Sequence, residues 1–342
     1  MRPTANQKFF IVGGAGFIGS HFTDHLLGAG GAAAVTLYDN FTSGREWHHA
    51  HHAGDARLRV VRGNVEDTEA LVRAMEGHDV VIHLASNPDI ARAAREPTID
   101  FFQGTALTAS VVEAMRRTSA RRILYASGSG VYGDLGTREA DEDMGPMTPV
   151  STYGASKLAG EGLISSYAYM FGLSGCAFRF GNVVGPRQTH GVGFDFARRL
   201  LDARAERAKR AENESSDAPL VLTILGDGKQ SKSYVHISDI VHAVLAAHEG
   251  TAKDFEAYNV ATGDYITVTE IAEVAVECVG LKAGDVRFEY TGGDRGWKGD
   301  VPVVRIATKR IRALGWQNEM GSREALRQSM LAMIPDMQAG RM

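Results

Sequence analysis

The chain has 342 residues, 44% of them hydrophobic, and carries 37 Lys and Arg against 41 Asp and Glu, a formal charge of −4. This composition builds one large or two ordinary globular domains, and near-balanced charge excludes a broad basic surface for nucleic acid or an anionic membrane. Two distant cysteines, Cys176 and Cys278, have no metal-ligand spacing and are expected as free thiols of a cytoplasmic protein, and no apolar run reaches the ~18 residues of a membrane span.

Met1 to Lys8 is polar, so no targeting or anchoring segment is expected, and it leads into Phe9-Phe10-Ile11-Val12, a short apolar strand. Gly13, Gly16 and Gly19 follow at intervals of three and Gly14 opens a nested Gly-x-Gly-x-x-Gly, so the chain turns sharply where a side chain would obstruct a pyrophosphate. Phe17 and Ile18 then begin an amphipathic helix whose first amides point at that anion. The second strand, Val35 to Tyr38, ends at Asp39, twenty residues after Gly19, where a carboxylate accepts from an adenosine ribose. Asn40 to Arg45 is a turn-rich segment that closes over the adenosine half, with Asn40, Ser43 and Gly44 as candidate ligands. His48, His49, His51 and His52 cluster without a cysteine or a defined carboxylate partner, so a solvated loop or short exposed helix is expected there and no metal.

Leu58 to Arg62 is a third strand, and Asn64 and Val65 after it are expected at the adenine edge. The nearly continuous apolar run from Asp79 to Ser86 predicts a fourth strand, covered on both faces, with His83 as a packed core histidine. Leu84, Ala85 and Ser86 fall at its C-terminal end, where open α/β sheets bind ligands. Ile99 to Arg117 has helical spacing and surplus apolar residues suited to dimerisation. Arg122 to Ala126 is a fifth strand, running into Ser127-Gly128-Ser129-Gly130. In Ser151 to Glu161, Tyr153 and Lys157 stand four apart on one helical face, so the ammonium, helped by an oxidised nicotinamide, is expected to lower the phenol pKa and make Tyr153 a general base.

Gly13-x-x-Gly16-x-x-Gly19, Asp39-Asn40, His83-Leu84-Ala85, Val131-Tyr132-Gly133, Tyr153-x-x-x-Lys157 and Arg179 to Pro186 together resemble the extended short-chain dehydrogenase/reductases, within them the nucleotide-sugar epimerase/dehydratase group. The resemblance covers nearly the whole chain. It implies an α/β fold, a doubly wound parallel Rossmann sheet over residues 1–180 that holds NAD, with an interleaved, smaller α/β nucleotide-sugar lobe over residues 181–342. It also implies that Asn182 contacts the diphosphate or sugar, that Lys232 stands where an arginine is usual, and that Arg295, in the Gly292–Asp300 stretch, clamps the diphosphate. Gly193 to Arg210 is expected as a helix that runs into a charged excursion at residues 203–217; Leu220 to Leu225 and Tyr258 to Ala261 are expected as strands and Val268 to Val279 as a helix.

The resemblance separates reactions as well. Sugar 4,6-dehydratases carry an Asp-Glu pair where this chain has Ser129 and Gly130, and related decarboxylases a glutamate at Gly130, which leaves 4-epimerisation of a UDP-sugar or similar hexose through a keto-sugar. The family's catalytic hydroxyl lies three residues before Val131, which here is Gly128, so Ser127, Ser129 or water takes its place. A nucleotide-sugar reductase or dehydrogenase, or a non-catalytic NAD sensor, remains the alternative. A homodimer through helices near residues 99–117 and 151–171 is expected.

Overall fold

The computed structural model describes residues 4–211 and 218–342. Strands β1 (Lys8–Val12), β2 (Ala34–Asp39), β3 (Leu58–Arg62), β4 (Val80–His83), β5 (Arg122–Gly128) and β6 (Ser174–Phe180) alternate with helices α1 (Phe17–Leu27), α2 (Thr68–Met75), α3 (Leu107–Arg117) and α4 (Thr152–Phe171). Then follow β7 (Asn182–Val184), α5 (Val192–Ala211), β8 (Leu220–Ile224), β9 (Ser231–Lys232), β10 (Tyr234–His236), α6 (Ile237–Gly250), β11 (Phe255–Val260), β12 (Ile266–Thr267), α7 (Val268–Cys278), β13 (Val286–Tyr290), α8 (Lys309–Arg312) and α9 (Ser322–Gln338).

Seven parallel strands form the central sheet in the order β3-β2-β1-β4-β5-β6-β11. Strand order reverses between β1 and β4, the position at which doubly wound sheets open a crevice at their carboxyl ends. The strand sequences are apolar at successive positions because both faces are covered. Phe9 and Ile11 enter one core with α1 and α6, while Phe10 and Val12, one residue out of phase, enter the other with α2 and α3. Thus α6 and β11, although beyond residue 180, complete the sheet and its covering layer.

A second core is assembled by α5, α7 and α9 against the parallel pair β8 and β13. The short pairs β7 with β10 and β9 with β12 stitch this lobe to the end of the central sheet. The charged stretch expected at 203–217 as an excursion starts instead as the last turns of α5, and its residues 212–217 lie outside the described part. Among the described residues no helix is long and apolar enough to cross a membrane.

The stretch read as one helix over 99–117 is two pieces. Phe101–Ala106 forms a π turn with Gln103 at φ −92°, ψ 20°, and α-helix begins only at Leu107. The Gln103 carbonyl accepts from the Asn87 amide at 3.0 Å, which withdraws it from the regular ladder and accounts for the local widening.

Candidate active site

The glycine turn is shaped by contact. Gly13 has φ +79°, and a Cβ there would lie 2.8 Å from the Ala85 amide nitrogen; at Gly19 a Cβ would stand 2.5 Å from the Gly14 carbonyl oxygen. Only glycine lets β1, the end of β4 and the start of α1 approach this closely. The consequence is a shallow cradle of backbone at the N-terminus of α1, whose first amides lack intrahelical acceptors and suit an anion. This cradle opens into a single continuous cavity of about 1010 Å³ between the strand ends and the second lobe. The dimensions and the glycine-walled turn fit a dinucleotide.

Of the candidate catalytic, cofactor-binding and substrate-binding residues, all line this cavity except Gly44 and Arg295. Gly44 is buried behind Asp39, its Cβ position 2.9 Å from the carboxylate, so it shapes that side chain and does not face the space. Arg295 is turned aside: it binds Asp134 at 2.7 Å and the Asp300 carbonyl at 3.0 Å. Its place at the far end of the cavity is taken by Arg199, Trp297 and Lys232, the last paired with Asp300 at 2.5 Å. Arg199 was hidden inside a helical pattern that does not say which face meets a ligand. Trp297 and Asp300 lie in the same Gly292–Asp300 stretch as Arg295 and do line the cavity.

Asp39 is nearly buried and accepts from the amides of Ala15 at 2.9 Å and Phe41 at 2.8 Å, so the carboxylate is held against the glycine turn. Burial nevertheless pushes its pKa above the usual carboxylate value, with those amides opposing. The histidine cluster, expected as a solvated loop or short exposed helix, forms two short 3-10 turns, but His48 and His49 are buried behind this site. His48 is fully buried and its Nδ1–H donates to the Ala15 carbonyl at 2.8 Å, so it buttresses the turn from below. His51 and His52 do have a carboxylate partner, Asp24, whose Oδ1 lies 2.7 and 2.8 Å from their Nε2 atoms; Arg187 binds the same carboxylate. His83 is a core residue as expected, fully buried with Nε2 3.1 Å from Thr108 Oγ1.

Tyr153 and Lys157 come from the first two turns of α4, which starts with the Ser151 hydroxyl accepting from the Gly154 amide. Lys157 is buried; its Nζ donates to the Ala126 carbonyl at 2.7 Å and sits 5.4 Å from the centre of the Tyr153 ring. Burial lowers the Lys157 pKa to about 8, with the nearby Asp100 carboxylate opposing. The expected depression of Tyr153 by this ammonium is not what the protein alone achieves. Burial dominates and pushes the phenol up to about 12, opposed by a side-chain hydrogen bond with Ser86 and assisted by Asp100.

Ser127, offered from the sequence as a stand-in for the absent hydroxyl at Gly128, is committed elsewhere. Its Oγ donates to Glu161 Oε1 at 2.6 Å, and Glu161 pairs with Arg179 at 2.7 Å, both buried. Arg179 also donates to the Tyr132 hydroxyl, which donates to Asn259 Oδ1, each at 2.8 Å. These contacts tie β5, α4, β6 and β11 together behind the tyrosine. Asn182 faces the cavity while its Nδ2 donates to the Ser233 carbonyl at 3.2 Å, and Ser129 lines it at the start of a 3-10 turn.

The NAD dependent epimerase/dehydratase family model matches residues 9–261. A UDP-glucose 4-epimerase of Mycolicibacterium smegmatis is 29% identical over 328 residues, 94% of this chain and 96% of its own. A dTDP-glucose 4,6-dehydratase of an Actinoplanes species is 29% identical over 307 residues, 87% of this chain and 90% of its own. A solved UDP-galactose 4-epimerase is 33% identical and superposes with a TM-score of 0.78, covering 96% of this chain and 99% of its own.

Proposed function

Because the chain belongs to the NAD-dependent epimerase/dehydratase family and NAD is its cofactor, we propose that it epimerises a nucleotide-activated hexose at C4 through a transient 4-keto sugar, with a UDP-sugar favoured. The observation that carries this reading is the Tyr153–Lys157 pair on the cavity wall, the lysine buried, with no carboxylate at positions 129 and 130 beside it. Positions 129 and 130 bring a hydroxyl and no side chain. Asp100 behind the pair is held by Asn87 and Thr152, and Glu161 by Arg179 and Ser127. Elimination of water needs a further acid and base, whereas epimerisation needs one group that takes a proton and returns it.

The backbone of Gly13 to Gly19 and the first amides of α1 hold the pyrophosphate of NAD, and Asn64 and Val65 flank the adenine. Asp39 favours a free ribose hydroxyl over a 2′-phosphate, which its charge repels. Bound NAD supplies reversible hydride acceptance from the sugar carbon. Tyr153 takes the proton from the C4 hydroxyl, and Lys157, fixed by the Ala126 carbonyl, stabilises the phenolate. Asn182 orients the sugar end, and Lys232 with Arg199 supplies positive charge to the diphosphate. The reading also includes a homodimer formed by α4 and the neighbouring π turn and a cytoplasmic location, supported by two free cysteines.

The test is incubation of the purified protein with a panel of nucleotide sugars. Interconversion of two stereoisomers with no net change in NADH absorbance is expected; stoichiometric NADH accumulation identifies a dehydrogenase and consumption of added NADPH a reductase. Tight NAD binding with no sugar turned over identifies a sensor.

A further inference from the structure

The position three residues before Val131 is empty of side chain. Gly128 lies in extended backbone, φ −163° and ψ 160°, lines the cavity, and has nothing within 4 Å of where a Cβ would be. A hydroxyl would fit there, yet the chain does not carry one, and the adjacent Ser127 Oγ is bound to Glu161 at 2.6 Å.

A different hydroxyl meets the tyrosine. Ser86 follows the end of β4 and lines the same cavity as Tyr153, and its hydroxyl opposes the burial that raises the phenol. Its placement is enforced by the residues next to each partner. Asn87, after Ser86, donates to Asp100 Oδ1 at 2.9 Å; Thr152, before Tyr153, donates to Asp100 Oδ2 at 2.6 Å. Asp100 and Asn87 are both almost fully buried, so one carboxylate clamps the loop bearing Ser86 to the helix turn bearing Tyr153. The Asn87 amide is fixed as well, to the Gln103 carbonyl of the π turn.

We propose that Ser86 is the positioning hydroxyl of this site, its Oγ–H donating to the Tyr153 oxygen and stabilising the phenolate in place of a side chain at position 128. The proposal rests on Tyr153 being the proton acceptor. Three other groups face that oxygen or its ring: the Lys157 ammonium from α4, the Asp100 carboxylate at the start of the π turn, and the Tyr125 phenol from β5. Lys157 favours the phenolate and Asp100 disfavours it, so donation from Ser86 adds to the lysine. No proton leaves Ser86 in this role; the sugar hydroxyl's proton goes to Tyr153 and returns.

The measurement is the phenolate absorbance of the NAD-bound protein at fixed alkaline pH, with Tyr153→Phe subtracted to isolate one of ten tyrosines. Loss of a hydrogen bond to a charged group is on the order of one to two pH units, so Ser86→Ala should lower the Tyr153 phenolate fraction about 10- to 100-fold and shift the acid limb of the kcat pH profile upward by the same amount. Ser86→Thr should keep both, and adding Gly128→Ser to Ser86→Ala should restore them. An unchanged phenolate fraction in Ser86→Ala overturns the proposal, even where activity falls, since that pattern means a structural role. Titration needs NAD and no sugar, so a parent protein that turns over no nucleotide sugar refutes the epimerase reading and leaves this pairing to be judged on absorbance alone.

Discussion

Burial pushes the Tyr153 phenol up to about 12 and favours its neutral form, so the proposed reaction would depend on the few groups that pull it the other way. Removing the oxygen with Tyr153→Phe should lower turnover by ~10²–10⁴ while leaving the melting temperature and NAD affinity where they were. A loss of both folding and NAD binding would instead make the tyrosine a packing residue. Ser127 belongs to a different account. With Oγ bound to the buried Glu161, Ser127→Ala should cost about 1.5–3 kcal/mol of stability, the range for a hydrogen bond to a charged group, with turnover close to the parent's. Denaturant unfolding beside steady-state kinetics separates the two effects, and a large fall in kcat at unchanged stability would return Ser127 to the chemistry.

At the scale of elements, the two 3-10 turns after β2 and helix α1 meet through neutral histidines. Burial lowers the pKa of His48 to about 4, and burial with the Arg187 charge does the same for His21. Their folded values lie below the unfolded value near 6.5, so between about pH 4 and 6.5 the unfolded chain binds more protons and stability rises with pH. The stabilisation is complete above pH 6.5 and is lost as pH falls towards 4. For His48 alone the loss is at most about 3 kcal/mol, and His48→Gln should flatten the fall in melting temperature between pH 7 and 4.5; an equally steep fall in the variant would contradict this. Helix α5 carries a second prediction. Arg199 faces the cavity and Arg295 is bound to Asp134, so Arg199→Ala should weaken UDP binding in calorimetry and Arg295→Ala should leave it nearly unchanged, with NAD affinity constant in both. The reverse order would restore Arg295 as the diphosphate clamp.

For the whole molecule, the proposed dimer follows from apolar surface on adjacent elements. Helix α4 packs on the π turn, yet Tyr169 is 92% exposed and Phe101 56%, with Phe102, Met170 and Phe171 also outside the core. Burial of such side chains contributes about 1.5–3 kcal/mol each, so a second copy covering them would be held firmly. Phe101→Glu with Tyr169→Glu should convert the sedimentation pattern of a dimer to that of a monomer without unfolding it. A parent that sediments as a monomer would remove this part of the reading.

Much of this architecture was legible because it depends on local periodicity. Glycines three apart after an apolar strand, a carboxylate twenty residues on and a tyrosine four before a lysine are constraints within a few turns of chain, and each places residues on the cavity wall. The strands of the central sheet were visible for the same reason, since burial on both faces makes them apolar throughout. What the sequence could not decide is which polar group meets which across the fold. His48 buried against Ala15, Ser127 bound to Glu161, Arg295 drawn off by Asp134, and Asn87 joined to Thr152 through Asp100 all link residues from different elements. A side chain's chemistry states what it can bind; its partner is chosen by packing, because a buried polar group must take the nearest compatible neighbour that the assembled elements bring to it.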